Sequence, residues 1–208
     1  MGVRFLDRMS RVKPSISFHS HKMQRTMYAE SRNELAYLYK LEFDETVSCY
    51  ITQPQTFQYE FEGKKRVYTP DYLINYIDGT YRFIDTKVDA DKSNSILLKK
   101  FYILERHFKY KLKVPLSLAF NGDFNKGFSV RNLKFLYGYL MLEKPDTEFK
   151  ILNEKICAKA IKYGDLISIC KDLGFDECIP ASLIAHSYYR FNIEKEFISH
   201  DTEVIRIR

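Results

Sequence analysis

The sequence predicts an α/β protein with a small, mostly helical C-terminal module. Three observations predict it. Runs of aromatic and β-branched residues with strand character recur up to Phe120, and segments with helical spacing separate them. Beyond Glu148 the helical spacing dominates. Aliphatic and aromatic residues make up 45% of the 208 residues, enough to bury a core, which excludes disorder over the whole length.

The elements follow in order. Residues 1–29 are basic and polar, with Pro14, His19 and His21 and no clear period, and read as an arm that orders on a partner. From Ser31 a helix is expected, because Leu35, Leu38 and Leu41 form an apolar stripe. Val47–Ile51 and Thr56–Phe61 read as strands divided at Gln53-Pro54. Arg66–Ile77 and Tyr81–Val88 read as two more around Asp78-Gly79, a hairpin signal. Ile96–Tyr110 is a basic amphipathic helix, and Val114–Phe120 a strand ending at Asn121-Gly122-Asp123. The charged, Pro-containing stretch Glu143–Glu148 marks the expected domain boundary. After it come three short helices, Asn153–Tyr163, Asp165–Asp172 and Ala181–Tyr189, then a strand, Val204–Ile207. That order is winged-helix-like. Gly164 and Gly174 stand where helices stop, and Pro180 where the third starts.

Charge points to an anionic partner. The net charge is +6 and the pI about 9.0. Residues 1–29 carry a net +5 and residues 92–134 a net +8, whereas residues 151–208 carry −1. The first two segments can neutralise phosphates, with Lys92, Lys99 and Lys100 nearest the strand that matters most below. A Lys-rich helix also serves simply as a solvated face. The last segment, with Tyr188, Tyr189 and Phe191 as apolar contact surface, suits a protein partner better than DNA. No apolar run approaches the roughly 18 residues of a membrane span, and no apolar signal core opens the chain. Cys49, Cys157, Cys170 and Cys178 lack CxxC spacing and read as reduced thiols of a cytoplasmic protein.

The chemistry concentrates in Thr69-Pro70-Asp71 and Phe83-Ile84-Asp85-Thr86-Lys87. Alternate strand residues share a face, so Asp85 and Lys87 point the same way. A two-residue Asp78-Gly79 loop would pair 71 with 86 and put the carboxylates on opposite faces. A three-residue Asp78-Gly79-Thr80 loop, or a bulge, would pair 71 with 87 and bring Asp71, Asp85 and Lys87 together. Two carboxylates and an ammonium on one patch suit Mg²⁺, which takes oxygen ligands and retains waters for a phosphate substrate. Asp71 and Asp85 would hold the ion with the Thr86 carbonyl, and Lys87 would orient the attacking water and offset developing charge. The competing reading is an exposed strand with opposite charges. Glu34 also reads two ways. Ser31-Arg32-Asn33-Glu34 is a capping box, with Glu34 reaching back to the Ser31 N–H, yet a helix preceding such a sheet can deliver a carboxylate to the ion.

Taken together, Glu30-Ser31-Arg32-Asn33-Glu34, Leu41-Glu42-Phe43-Asp44, Gln53-Pro54, Tyr68-Thr69-Pro70-Asp71-Tyr72-Leu73 and Asp85-Thr86-Lys87 resemble the TnsA endonucleases. These are the second nuclease subunit of heteromeric cut-and-paste transposases, CRISPR-associated ones included. The resemblance runs from Glu30 to Tyr110. It implies a restriction-endonuclease-like nuclease domain, here residues 30–148, and a winged-helix-like partner-binding domain, here residues 149–208. It also implies cleavage of the 5′ strands at transposon ends with Mg²⁺, for which Mn²⁺ substitutes. A DDE-type transposase subunit would cut the 3′ strands of the same double-stranded DNA, and an AAA+ regulator would engage the pair. A cytoplasmic, nucleoid-associated protein follows from these partners. By position, Asp71 matches the motif aspartate, Lys87 the motif lysine and Glu34 the helix glutamate. Asp85 departs from the glutamate or glutamine common there. It keeps a ligating oxygen on a shorter stem. Two alternatives stand beside this reading: a stand-alone homodimeric restriction-like nuclease or junction resolvase, and a DNA-binding assembly module on a nuclease scaffold.

Overall fold

Burial and hydrogen bonding organise the larger part of the chain around one mixed sheet. The computed structural model describes residues 15–207. It divides into two compact units, one ending at Phe124 and one starting at Asn125. The division falls upstream of the expected 148/149 boundary. The helix that starts at Ser129 belongs to the second unit, because Asn132 is fully buried there. Its amide donates to the Ile193 and Glu196 carbonyls, and its carbonyl oxygen accepts from Ile198 N–H.

The first unit opens with a hairpin, β1 (Ile16–Ser20) and β2 (Arg25–Ala29). Within the expected arm, then, residues 16–29 are folded, and residues 1–14 lie outside the described residues. The hairpin is anchored through buried Glu42, which accepts from Ser20 Oγ, His21 N–H and Tyr50 Oη. Helix α1 (Arg32–Phe43) carries Glu42 and starts at Ser31 as expected. Strands β3 (Val47–Thr52), β4 (Phe57–Phe61), β5 (Lys64–Tyr68), β6 (Tyr72–Tyr76) and β7 (Tyr81–Lys87) follow. The single strand expected over Arg66–Ile77 is two. Thr69-Pro70 breaks it, since proline has no N–H for a ladder. β5 pairs with β4 as a separate hairpin, and β6 enters the main sheet.

A 3₁₀ turn, Asp89–Ser93, leads to α2 (Ser95–His107), capped by the Asn94 side chain accepting from Leu97 N–H. Then come β8 (Leu116–Phe120) and a single turn, α3 (Asn121–Phe124). The main sheet runs β3-β6-β7-β8, antiparallel except for the parallel pair β7–β8. Helices flank it. Tyr72 Oη on one face donates to the Glu34 carbonyl of α1. On the other face Phe83 and Leu116 form a core with Leu104 of α2, Phe108 after it, and Phe57 and Tyr59 of the β4–β5 hairpin. This is α/β architecture with the mixed sheet of a restriction-endonuclease-like fold.

The second unit contains α4 (Ser129–Tyr137), α5 (Asp146–Lys155), β9 (Ala160–Lys162), α6 (Tyr163–Asp172), α7 (Ile179–Ala185), β10 (Tyr189–Arg190) and β11 (Glu203–Arg206). Its antiparallel sheet has the order β10-β11-β9. The helix expected at 153–163 instead occupies 146–155, directly after Pro145. Tyr188, Tyr189 and Phe191, expected as contact surface, are buried. Tyr188 packs on Phe149 of α5 at 4.6 Å between ring centroids, so packing inside the unit consumes that area.

Candidate active site

The hairpin between β6 and β7 decides which side chains meet. Tyr76 N–H donates to the Thr80 carbonyl and Gly79 N–H to the Tyr76 carbonyl, so the loop is Ile77-Asp78-Gly79. Gly79 adopts φ +81°, a left-handed conformation that glycine takes without strain. Asp78 Oδ1 accepts from Thr80 N–H and Oγ, closing the turn. The loop has three residues but lies one position earlier than Asp78-Gly79-Thr80. Tyr72 therefore pairs with Ile84 and Leu73 with Phe83, a register that sets 71 opposite 85 rather than 87. The parity is still odd-to-odd, and Asp71, Asp85 and Lys87 fall on the face shared with Phe83.

Asp71 sits at the bend before β6. Its carbonyl accepts from Gln53 N–H, tying it to the end of β3. Its Oδ2 accepts from both Thr86 N–H and Thr86 Oγ at 2.7 Å. Continuing the ladder would place residue 70 opposite Thr86, and the Asp71 carboxylate takes up the Thr86 N–H where Pro70 ends the strand. Burial, Asp85 and Glu34 push Asp71 up to about 8, against the lowering effect of the two Thr86 donors. Asp85 is only 6% exposed. Lys87 Nζ lies 2.6 Å from its Oδ2 and donates to the Thr86 carbonyl at 3.1 Å. Burial pulls the Lys87 ammonium down, but Asp85, Asp71 and Asp91 outweigh it and hold the group above its usual value.

Glu34 is close enough for its charge to act on Asp71, yet its oxygens serve the helix end. Oε2 accepts from Glu30 N–H and Oε1 from Ser31 Oγ, while Ser31 Oγ accepts from Glu34 N–H. The capping box forms, reaching the Glu30 rather than the Ser31 N–H. The structure thus brings Asp71, Asp85, Thr86 and Lys87 together and leaves the Glu34 carboxylate in its cap. Among the described residues no three His, Cys, Asp or Glu side chains stand grouped to hold a metal ion. Mg²⁺ commonly uses only one or two carboxylates with carbonyls and waters. Asp71, Asp85 and the Thr86 carbonyl fit that pattern: hard oxygens, an uncompensated buried acid, and an ammonium already drawn to two of the three donors.

Of the expected phosphate contacts, Lys99 is exposed on α2, and Lys100 places its ammonium 5.7 Å from the Tyr68 ring centroid. Lys92 precedes the helix and pairs with Asp89 at 2.7 Å and Asp123 at 3.4 Å, so its charge is already answered. Two residues of the resembling motifs have no role at the site in the sequence reading. Gln53 is buried in a left-handed conformation (φ +44°) with its side-chain oxygen lacking a partner, and Tyr68 places a buried hydroxyl beside Asp85. Only the fold puts Gln53 against Asp71 and the Tyr68 hydroxyl beside Asp85. A cavity of about 730 Å³ lined by Tyr37, Lys40, Tyr76, Arg82 and Ile84 lies on the α1 side, since Arg82 and Ile84 point away from Asp85.

Residues 44–117 match the family model for the N-terminal domain of TnsA-like endonucleases. A comparison with curated proteins finds no match. The matched segment contains Asp71, Asp85, Thr86 and Lys87 together with Lys92, Lys99 and Lys100, while Glu34 precedes it. No described helix is long and apolar enough to cross a membrane.

Proposed function

We propose that this chain is the Mg²⁺-dependent endonuclease subunit of a cut-and-paste transposase, hydrolysing the 5′ strands at transposon ends beside a DDE-type transposase and under an AAA+ regulator. The observation that carries this is the convergence of Asp71 and Asp85 on one face, with the Lys87 ammonium bridging Asp85 and the Thr86 carbonyl. Asp71, Asp85 and that carbonyl would hold the ion. A bound Mg²⁺ supplies charge stabilisation at the phosphoryl oxygens and lowers the pKa of a coordinated water. Thr86 fixes Asp71 through two donors to one oxygen, leaving Oδ1 for the ion. Lys87, held above its usual pKa, remains a cation that orients the water and offsets charge developing on the phosphate. Glu34 adds negative charge behind Asp71. Lys99 and Lys100 hold the DNA backbone, and the second unit docks a protein partner as a winged-helix-like module.

The test is cleavage of end-labelled transposon DNA by the reconstituted proteins in Mg²⁺. Asp71→Ala should lose 5′-strand cleavage by at least 100-fold, on the order expected for removal of an ion ligand, while retaining its fold and partner binding. Glu34→Gln can keep the capping hydrogen bond and loses only the negative charge, so it should melt close to wild type and still reduce cleavage. Full cleavage by Asp71→Ala would sink the ion-site reading, and full cleavage by Glu34→Gln would leave Glu34 a cap alone.

A further inference from the structure

Tyr68 ends β5 immediately before the Thr69-Pro70 break that leads to Asp71. Its ring meets Tyr59 and Phe108 edge-on, at 6.5 and 6.0 Å between centroids, and the Lys100 ammonium lies 5.7 Å from its centre. These contacts orient the ring. The hydroxyl is buried beside the Asp85 carboxylate, with Asp71 next nearest in influence, but it meets no acceptor in full hydrogen-bonding geometry. A buried hydroxyl left without a partner costs stability, and a phenylalanine would fill the same space without that cost. The hydroxyl therefore has its use in another state of the site.

Asp85 shows which state. Lys87 Nζ now holds Asp85 Oδ2 and the Thr86 carbonyl. Those two groups are also the proposed ion ligands, and a divalent cation on the same oxygens would repel the ammonium from them. Lys87 would then shift away as the ion binds, and Asp85 would lose the partner that orients it.

We infer that Tyr68 is a positioning residue whose hydroxyl donates to Asp85 once Lys87 withdraws, keeping the carboxylate turned toward the ion. This rests on the nuclease reading above. Hydrogen-bond partners that orient an ion's ligands in this way commonly set ion affinity by a factor of about 10 to 100. The ring supports α2 through Lys100 at the same time, so removal of the hydroxyl alone separates the two roles.

The experiment compares the full chain with Tyr68→Phe and Asp71→Ala in Mn²⁺ and Mg²⁺ titrations followed by thermal shift, with cleavage in the reconstituted system alongside. Without added ion, Tyr68→Phe should melt at or slightly above the wild-type temperature. Its half-saturating ion concentration should rise about tenfold, and cleavage should recover toward wild type at saturating ion. A half-saturating concentration equal to wild type, or a lowered ion-free melting temperature, would overturn the inference. If the wild-type chain shows no ion-dependent shift and Asp71→Ala still cleaves, the ion-site reading itself falls, and the two failures are thereby distinguished.

Discussion

Asp71 is held as a neutral acid near neutral pH, by burial first and then by Asp85 and Glu34. This makes stability depend on pH in a defined direction. An unfolded aspartate titrates near 3.9, and the folded value is about 8. Below about pH 4 both states are protonated and the contribution is fully present. Between about 4 and 8 the folded state alone keeps the proton, so stability falls as pH rises through that window. The ion-free chain should accordingly lose melting temperature from about pH 4 to about pH 8. Asp71→Asn, which cannot ionise, should flatten that part of the curve. A wild-type slope retained by Asp71→Asn would place the titrating group elsewhere. Bound Mg²⁺ should flatten it too, because the ion favours the carboxylate and releases the proton.

Helix α2 buries Leu104 against the core with Phe108 beyond its C-terminus, and turns Lys99 to solvent. It follows β7 after one 3₁₀ turn, so its first turns flank whatever lies on Asp85 and Lys87. Lys92 is spent on Asp89 and Asp123, which leaves Lys99 and Lys100 as the cations to test. Replacing both by alanine should weaken DNA binding about equally for all sequences. The slope of log affinity against log salt should become shallower by about one unit for each phosphate that is no longer neutralised. Replacing Lys100 also frees the Tyr68 ring, so the single Lys99→Ala is the cleaner measurement. Binding titrations at several salt concentrations decide it, and an unchanged slope would make this a solvated face.

At the scale of the molecule, the proposed chemistry and the proposed partner recognition fall in different units. The proposed ion site lies wholly in the unit ending at Phe124, and the +8 segment begins there. Residues 151–208 carry −1, too little positive charge to grip DNA strongly. A basic nuclease with little base readout of its own is best kept inactive until partners assemble. We expect weak cleavage by the isolated chain, and robust cleavage confined to 5′ strands when the DDE transposase and AAA+ regulator are present on end DNA. Gel analysis of strand-specific label reads both quantities. Strong, sequence-specific cutting by the chain alone would favour the stand-alone nuclease.

The α/β class, the Ser31 cap and the α2 amphipathicity were legible in the sequence, because each depends on residues within a few positions of one another. The D-x-K face was legible for the same reason: Asp85 and Lys87 are two apart on one strand. Whether Asp71 joins them depended on the hairpin loop, and sequence left two parities open. The structure chose the three-residue loop, slid by one, because Gly79 is the residue that takes φ +81° and Asp78 is placed to accept from Thr80. The break at Thr69-Pro70 was likewise written in a proline that a long hydrophobic run obscured. The boundary at Phe124, the burial of Tyr188 and Tyr189, and the meeting of Tyr68 with Asp85 had no local sign. Those depend on contacts between residues far apart in the chain, and only the packed tertiary structure sets such distances.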